Sequence, residues 1–242
     1  MRRSRILIAT LSFLVFGPGS SSMAALAAGD VPADSLAESP IVFSATYASK
    51  YSFQGLDYSE GRPVLQPQVA GSLRGVTLTA WGNLDQTRRE LNEIDLSVQR
   101  DWTLARLSGA VGYVHLRYPH RGWDPTHEVF ADLAVAAALE PSLSVHWDVA
   151  AGSGRYWSLG VNHTIPWRGH SAAFATRLFI HDHYYDVSGI PALETTLSAT
   201  TDWGRISVQP MLTRLWTWAN GDFRADQAVR GGWVVGLQCS SR

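Results

Sequence analysis

Residues 91–99 read Leu-Asn-Glu-Ile-Asp-Leu-Ser-Val-Gln, so that Glu93, Asp95, Ser97 and Gln99 alternate with Ile94, Leu96 and Val98. A period of two gives a strand one polar face and one apolar face, which no helix makes from this spacing. The same alternation returns along the chain. Ser142, Ser144, His146 and Asp148 alternate with Leu143, Val145, Trp147 and Val149. Tyr156, Ser158, Asn162 and Thr164 alternate with Trp157, Leu159, Val161 and Ile165, while Glu194, Thr196, Ser198, Thr200 and Asp202 alternate with Leu197, Ala199 and Trp203. Twelve strand-like segments are predicted, at 41–53, 64–73, 76–84, 91–101, 104–118, 127–139, 143–151, 156–165, 172–182, 193–202, 206–216 and 228–238. Most are close to the ~9 to 11 residues that a tilted strand needs to cross a bilayer. Segments 104–118 and 127–139 are so rich in Ala, Gly and Val that their facing stays unassigned.

The connections alternate in length. Those at 74–75, 102–103, 140–142, 167–170 and 203–205 are short, whereas 54–63, 85–90, 119–126, 183–192 and 217–227 are longer and more polar, with 152–155 as the exception. Short turns at one end and longer loops at the other predict an all-β fold: a closed, up-and-down antiparallel transmembrane β-barrel of about twelve strands over residues 41–242. Closure matters because every backbone amide must find a partner in hydrocarbon. Tryptophans fall at segment ends as two belts at headgroup level would, with Trp102, Trp167 and Trp203 at short turns and Trp123, Trp157 and Trp218 near the other end. The competing fold is a secreted sandwich or soluble barrel with buried Trp, but a Greek-key sandwich does not alternate its loops so regularly.

The first residues narrow the setting. Arg2, Arg3 and Arg5, the apolar run 6–16 and Ala25-Leu26-Ala27 predict a signal peptide over 1–27, followed by a polar lead-in over 28–40. An exported chain with this strand pattern is expected in the outer membrane of a Gram-negative cell. After residue 27 no apolar run approaches the ~20 residues of a membrane-spanning helix. The charge is balanced, 20 Lys plus Arg against 21 Asp plus Glu, which argues against nucleic acid as a partner. One cysteine, Cys239, excludes an internal disulfide framework and a Cys-based zinc site.

The run Ser-Lys-Tyr-Ser-Phe-Gln-Gly-Leu-Asp-Tyr-Ser-Glu-Gly-Arg-Pro-Val-Leu-Gln-Pro at 49–67, the strand Gly-Val-Thr-Leu-Thr-Ala-Trp-Gly-Asn at 75–83 and Asn-Glu-Ile-Asp at 92–95 resemble the TorF-like family of outer-membrane porins. The likeness covers about residues 44–99 and is architectural beyond them. Gln54 stands where such proteins often carry Arg, and the chain ends Leu-Gln-Cys-Ser-Ser-Arg rather than on the aromatic residue common in outer-membrane barrels. The resemblance implies passive transport.

With the polar faces turned inward, the pore-lining candidates are Lys50, Glu93, Asp95, Asp132, His146, Asp148, Arg177, Glu194, Arg205 and Arg230. Charges inside a narrow barrel persist only if paired or hydrated. Two arrangements follow: Arg177 and Arg230 answer Glu93 and Asp95 and plug the bore, or acids and bases line opposite walls and orient a polar solute. A barrel of this size holds a small water channel, so the expected activity is passive diffusion of small polar solutes, with outer-membrane lipids as the surroundings. No cofactor or metal is expected. His181-Asp-His-Tyr-Tyr-Asp at 181–186 carries metal-ligand residue types, but reads as a solvated loop mouth with His181 and His183 on one side of a strand; His120, Arg121 and His127 read as exposed loop. A lipid hydrolase is the enzymatic alternative, with His163, His170 and Ser171 as pieces, yet no Gly-x-Ser-x-Gly elbow occurs and the chain is expected not to be an enzyme. A non-conducting scaffold or adhesin barrel is the third reading.

Overall fold

The computed structural model of the chain describes residues 39–217 and 231–241. The predicted signal peptide and nearly all of the lead-in lie outside them. In order, the strands are β1 Ser39–Ala48, β2 Ser52–Phe53, β3 Leu56–Asp57, β4 Val64–Leu73, β5 Val76–Asp85, β6 Glu90–Leu104, β7 Leu107–Arg117, β8 Thr126–Val135, β9 Ser142–Asp148, β10 Arg155–Trp167, β11 His170–Tyr184, β12 Val187–Gly189, β13 Ala192–Trp203, β14 Ile206–Thr217 and β15 Gly232–Ser241. Twelve of these run antiparallel, each beside its neighbours in sequence, and the pairings β10–β11 and β1–β15 close the sheet into a barrel. Short β12 folds back on β11, while β2 and β3 pair only with each other.

The short turns work by local geometry. Arg74-Gly75 has φ of 52° and 74°, and Arg168-Gly169 has 47° and 84°, so both central residues are left-handed. This turn type follows the right-handed strand twist and holds two strands in tight register. Several boundaries differ from the sequence pattern, among them the ends at Val135 rather than 139 and at Asp148 rather than 151. β6 continues through Leu104, which moves the predicted 102–103 turn to Ala105-Arg106. The final strand, Gly232–Ser241, runs beyond the predicted end at 238, with predicted positions 228–230 outside the described residues, and the first leaves the wall at Ala48 rather than running to residue 53.

The wall has its apolar side outward and its polar side inward. Leu78, Leu96 and Val111 are 61%, 51% and 52% exposed, while Glu93, Asp95 and Gln99 on the same strand as Leu96 are buried. The two unassigned segments resolve likewise: Val129 and Val111 face out, and Glu128, Phe130, Asp132, Ala110 and Val114 face in. Exposed Trp102, Trp167 and Trp203 ring the short-turn end, and exposed Trp147, Trp216 and Trp233 ring the other. The second belt differs from the predicted one. Trp157 is half-buried, Trp123 packs edge-on against Tyr58 and Tyr118, and Trp218 lies outside the described residues.

Candidate functional site

Residues 50–59 turn into the barrel instead of standing above it, and the chain returns to the surface at Glu60 and Gly61. β2 and β3 form a miniature hairpin whose turn, Gln54-Gly55, has φ of 54° and 82°. Its side chains are deeply covered: Tyr51, Phe53, Gln54 and Leu56 are all buried. The Tyr51 amide donates to Ser59 Oγ at 2.8 Å, the Tyr58 amide donates to the Tyr51 carbonyl at 2.9 Å, and Asp57 Oδ1 accepts from the Ser59 amide at 3.0 Å. Lys50 Nζ lies 4.0 Å from Asp57 Oδ2. Tyr51 packs 5.7 Å from Trp81 and Phe53 packs 5.9 Å from Tyr156, ring centre to ring centre, and burial of each such ring contributes roughly 1.5–3 kcal/mol. His181 Nε2 bonds the Gln54 carbonyl at 3.3 Å, fixing the tip to the far wall.

Tightness at that tip yields a direct test. A Cβ on Gly55 would meet the Ala192 Cβ at 2.5 Å, at a φ that side chains rarely adopt. Gly55→Val is therefore expected to lift the hairpin and expose the Lys50–Tyr51 bond to trypsin in the folded barrel. Equal resistance in variant and wild type would contradict the tip packing.

Around the hairpin the wall is polar. On β6 a bulge opposite Asn83 and Leu84 inserts one residue, so that Asn92 and Glu93 both turn inward. Gln66 Nε2 donates to Asn83 Oδ1 at 3.0 Å, and Asn83 Nδ2 donates to Asn92 Oδ1 at 2.7 Å, a row of amides that satisfies buried polar groups across three strands. Glu128 accepts from the Tyr184 hydroxyl at 2.5 Å and lies 3.1 Å from His146 Nδ1. Asp148 accepts from the Thr126 hydroxyl at 2.7 Å and from the Ala150 amide at 2.8 Å. The Ser144 hydroxyl donates to Asp132. Neither carboxylate oxygen of Asp95 has a hydrogen-bond partner among the described residues.

Eight of the ten predicted lining positions thus reach the interior: Lys50 on the hairpin, and Glu93, Asp95, Asp132, His146, Asp148, Arg177 and Glu194 on the wall. Arg205 does not. It sits exposed in the turn between β13 and β14, where the alternation has already ended. Arg230 lies outside the described residues. Arg177 stands beside Glu194 across β11 and β13 rather than facing Glu93, and Phe53, Gln54 and Tyr156 join that pair around a small cavity under the hairpin.

Other placements depart from the sequence pattern. His181 and His183 do not share a side: a register shift near the end of β11 leaves His181 buried within and His183 exposed, with φ of 53°. Arg121 is no free loop residue; its guanidinium donates to the Tyr58 carbonyl and lies 5.1 Å from the Trp123 ring centre. Arg62 ties the hairpin's exit to the wall through Asp85 Oδ2 at 2.6 Å. Arg62 also bonds Glu60 at 2.6 Å, and this hydrogen bond holds the Glu60 carboxyl below its ordinary range. Among the hydrolase pieces, His163 Nδ1 is 2.6 Å from the Ala138 carbonyl, and His170 and Ser171 point to opposite faces of β11. Tyr51, Gln54, Glu128 and Arg121 were missed as lining residues. Only the aromatic content of 49–63 could have signalled that this segment seeks cover.

No protein-family model matches this chain, and no curated protein matches it. Among solved structures, the NanC porin superposes with a TM-score of 0.59 at 12% identity, covering 84% of this chain and 100% of that one. That likeness shows the fold alone. An outer membrane channel from Pseudomonas putida F1 gives 0.48 at 10% identity over 87% of this chain and 98% of that one. A porin refined at 1.8 Å gives 0.34 at 13% identity, over 76% and 64% of the two chains.

Proposed function

We propose that this chain is an outer-membrane, porin-like channel through which small polar solutes diffuse without chemistry. The observation that carries this reading is the reversed polarity of the wall. Exposed Leu78, Leu96 and Val111 stand outside while buried Glu93, Asp95, Asp132 and Glu194 stand inside, an arrangement suited to lipid around and a polar interior within. The porin-like fold supports it. The inturned hairpin narrows the passage, so the solutes are small.

Swelling of proteoliposomes tests the reading. Vesicles carrying the full chain are expected to swell in glycerol or glycine faster than protein-free vesicles, and the rate is expected to fall steeply by disaccharide size. Absence of swelling with every solute would favour the non-conducting scaffold, a reading that the buried hairpin also supports.

A further inference from the structure

The inward charges do not balance. Glu93, Asp95, Glu128, Asp132, Asp148 and Glu194 project from the wall into the lumen, against Arg177 as the inward wall cation among the described residues. The charges on and beside the hairpin nearly cancel, since Lys50 meets Asp57 and Arg62 meets Asp85. A bore lined by one sign of charge within low-dielectric walls concentrates the opposite ion.

Asp95 shows where that field acts most directly. It is 3% exposed, aimed inward, and both carboxylate oxygens lack a hydrogen-bond partner among the described residues. A carboxylate stripped of water and of donors keeps its charge only where a positive group answers it. Directly across β5 and β6 stands Trp81, against which Tyr51 packs, with the Tyr58 ring tilted against Tyr51 at a centroid distance of 5.6 Å. Aromatic faces next to carboxylates recognise ammonium and guanidinium groups, because the ring quadrupole and the carboxylate attract the same ligand. The chain already places such a group here: Arg121 enters from the 119–125 loop and its guanidinium donates to the Tyr58 carbonyl.

We propose that the constriction is a cation filter, in which Glu93 and Asp95 with the Tyr51, Tyr58 and Trp81 rings select small solutes bearing an ammonium or guanidinium group. This rests on the channel reading and adds the class of solute. Arg121 occupies the filter in the absence of solute and yields to an arriving cation.

Reversal potentials in planar bilayers under a potassium chloride gradient provide the test, using the full chain and the variant with residues 50–59 replaced by a Gly-Ser linker. Potassium is expected to be preferred over chloride several-fold, with Glu93→Gln plus Asp95→Asn lowering the ratio toward one. Methylguanidinium chloride is expected to block the potassium current of the wild type, and sodium acetate is not. Anion preference, or a ratio unmoved in the double variant, overturns the filter and leaves the channel standing. No current from either the wild type or the linker variant overturns the channel, and the filter with it. Should the double variant fail to form a heat-modifiable barrel, each isosteric single variant is read the same way, and the methylguanidinium block decides on wild-type protein.

Discussion

Replacing residues 50–59 with a short Gly-Ser linker is expected to raise single-channel conductance several-fold and to admit solutes that the wild type excludes. The connection does not need those residues. Ala48 and Val64 are paired neighbours in β1 and β4, so a tight turn would join the two strands. The chain instead sends Tyr51, Phe53, Gln54 and Leu56 into the bore, where they are buried against Trp81, Tyr156 and Ala192. Their removal clears the interior without touching a wall strand, so barrel formation, read by heat-shifted gel mobility, is expected to persist. Unchanged conductance in planar bilayers would show that the narrowest point lies elsewhere.

The second large effect concerns the outside. Leu96 lies near the middle of β6 and is 51% exposed, whereas its neighbour Ser97 faces inward. Leu96→Arg is expected to destabilise the barrel in lipid vesicles by about 2–4 kcal/mol, the cost of a cationic side chain near the bilayer midplane. Ser97→Arg, which delivers the same charge to the wet side, is expected to cost well under that. Urea unfolding in vesicles, followed by tryptophan emission, measures both. On a water-soluble protein the ranking would reverse, because an exposed surface position accepts arginine within about 0.5 kcal/mol. A neutral Leu96→Arg would therefore remove the bilayer from the account.

What could be read from the chain follows from how barrels are built. Each wall strand repeats one simple rule, and the alternation around Glu93 and Asp95 or around Ser144 and His146 states it plainly, so the strand count and the facing of the clearly alternating strands are legible. Departures from the rule are not. A bulge at Asn92 and a register shift near His181 change which face a residue takes, and a period of two carries no mark of either. The same rule extended 41–53 into one long strand, although the chain leaves the wall at Ala48. Nothing local distinguishes an aromatic pair meant for lipid from Tyr51 and Phe53 meant for the interior; that choice is made by Trp81 and Tyr156, which are distant in sequence. Arg205 departs for a related reason: β13 ends at Trp203, and beyond a strand's end the period of two no longer sets which way a side chain faces.

The hairpin carries its acid and its base as a couple, Lys50 with Asp57, and its departure is anchored by another, Arg62 with Asp85. As an insert it is close to electrically silent. On the channel proposed above, aperture and charge therefore fall mainly to separate parts of the molecule: reshaping the insert would alter how much passes, while editing the staves would alter what sign passes, with Tyr51 and Tyr58 as the insert's own share in the choice of cation.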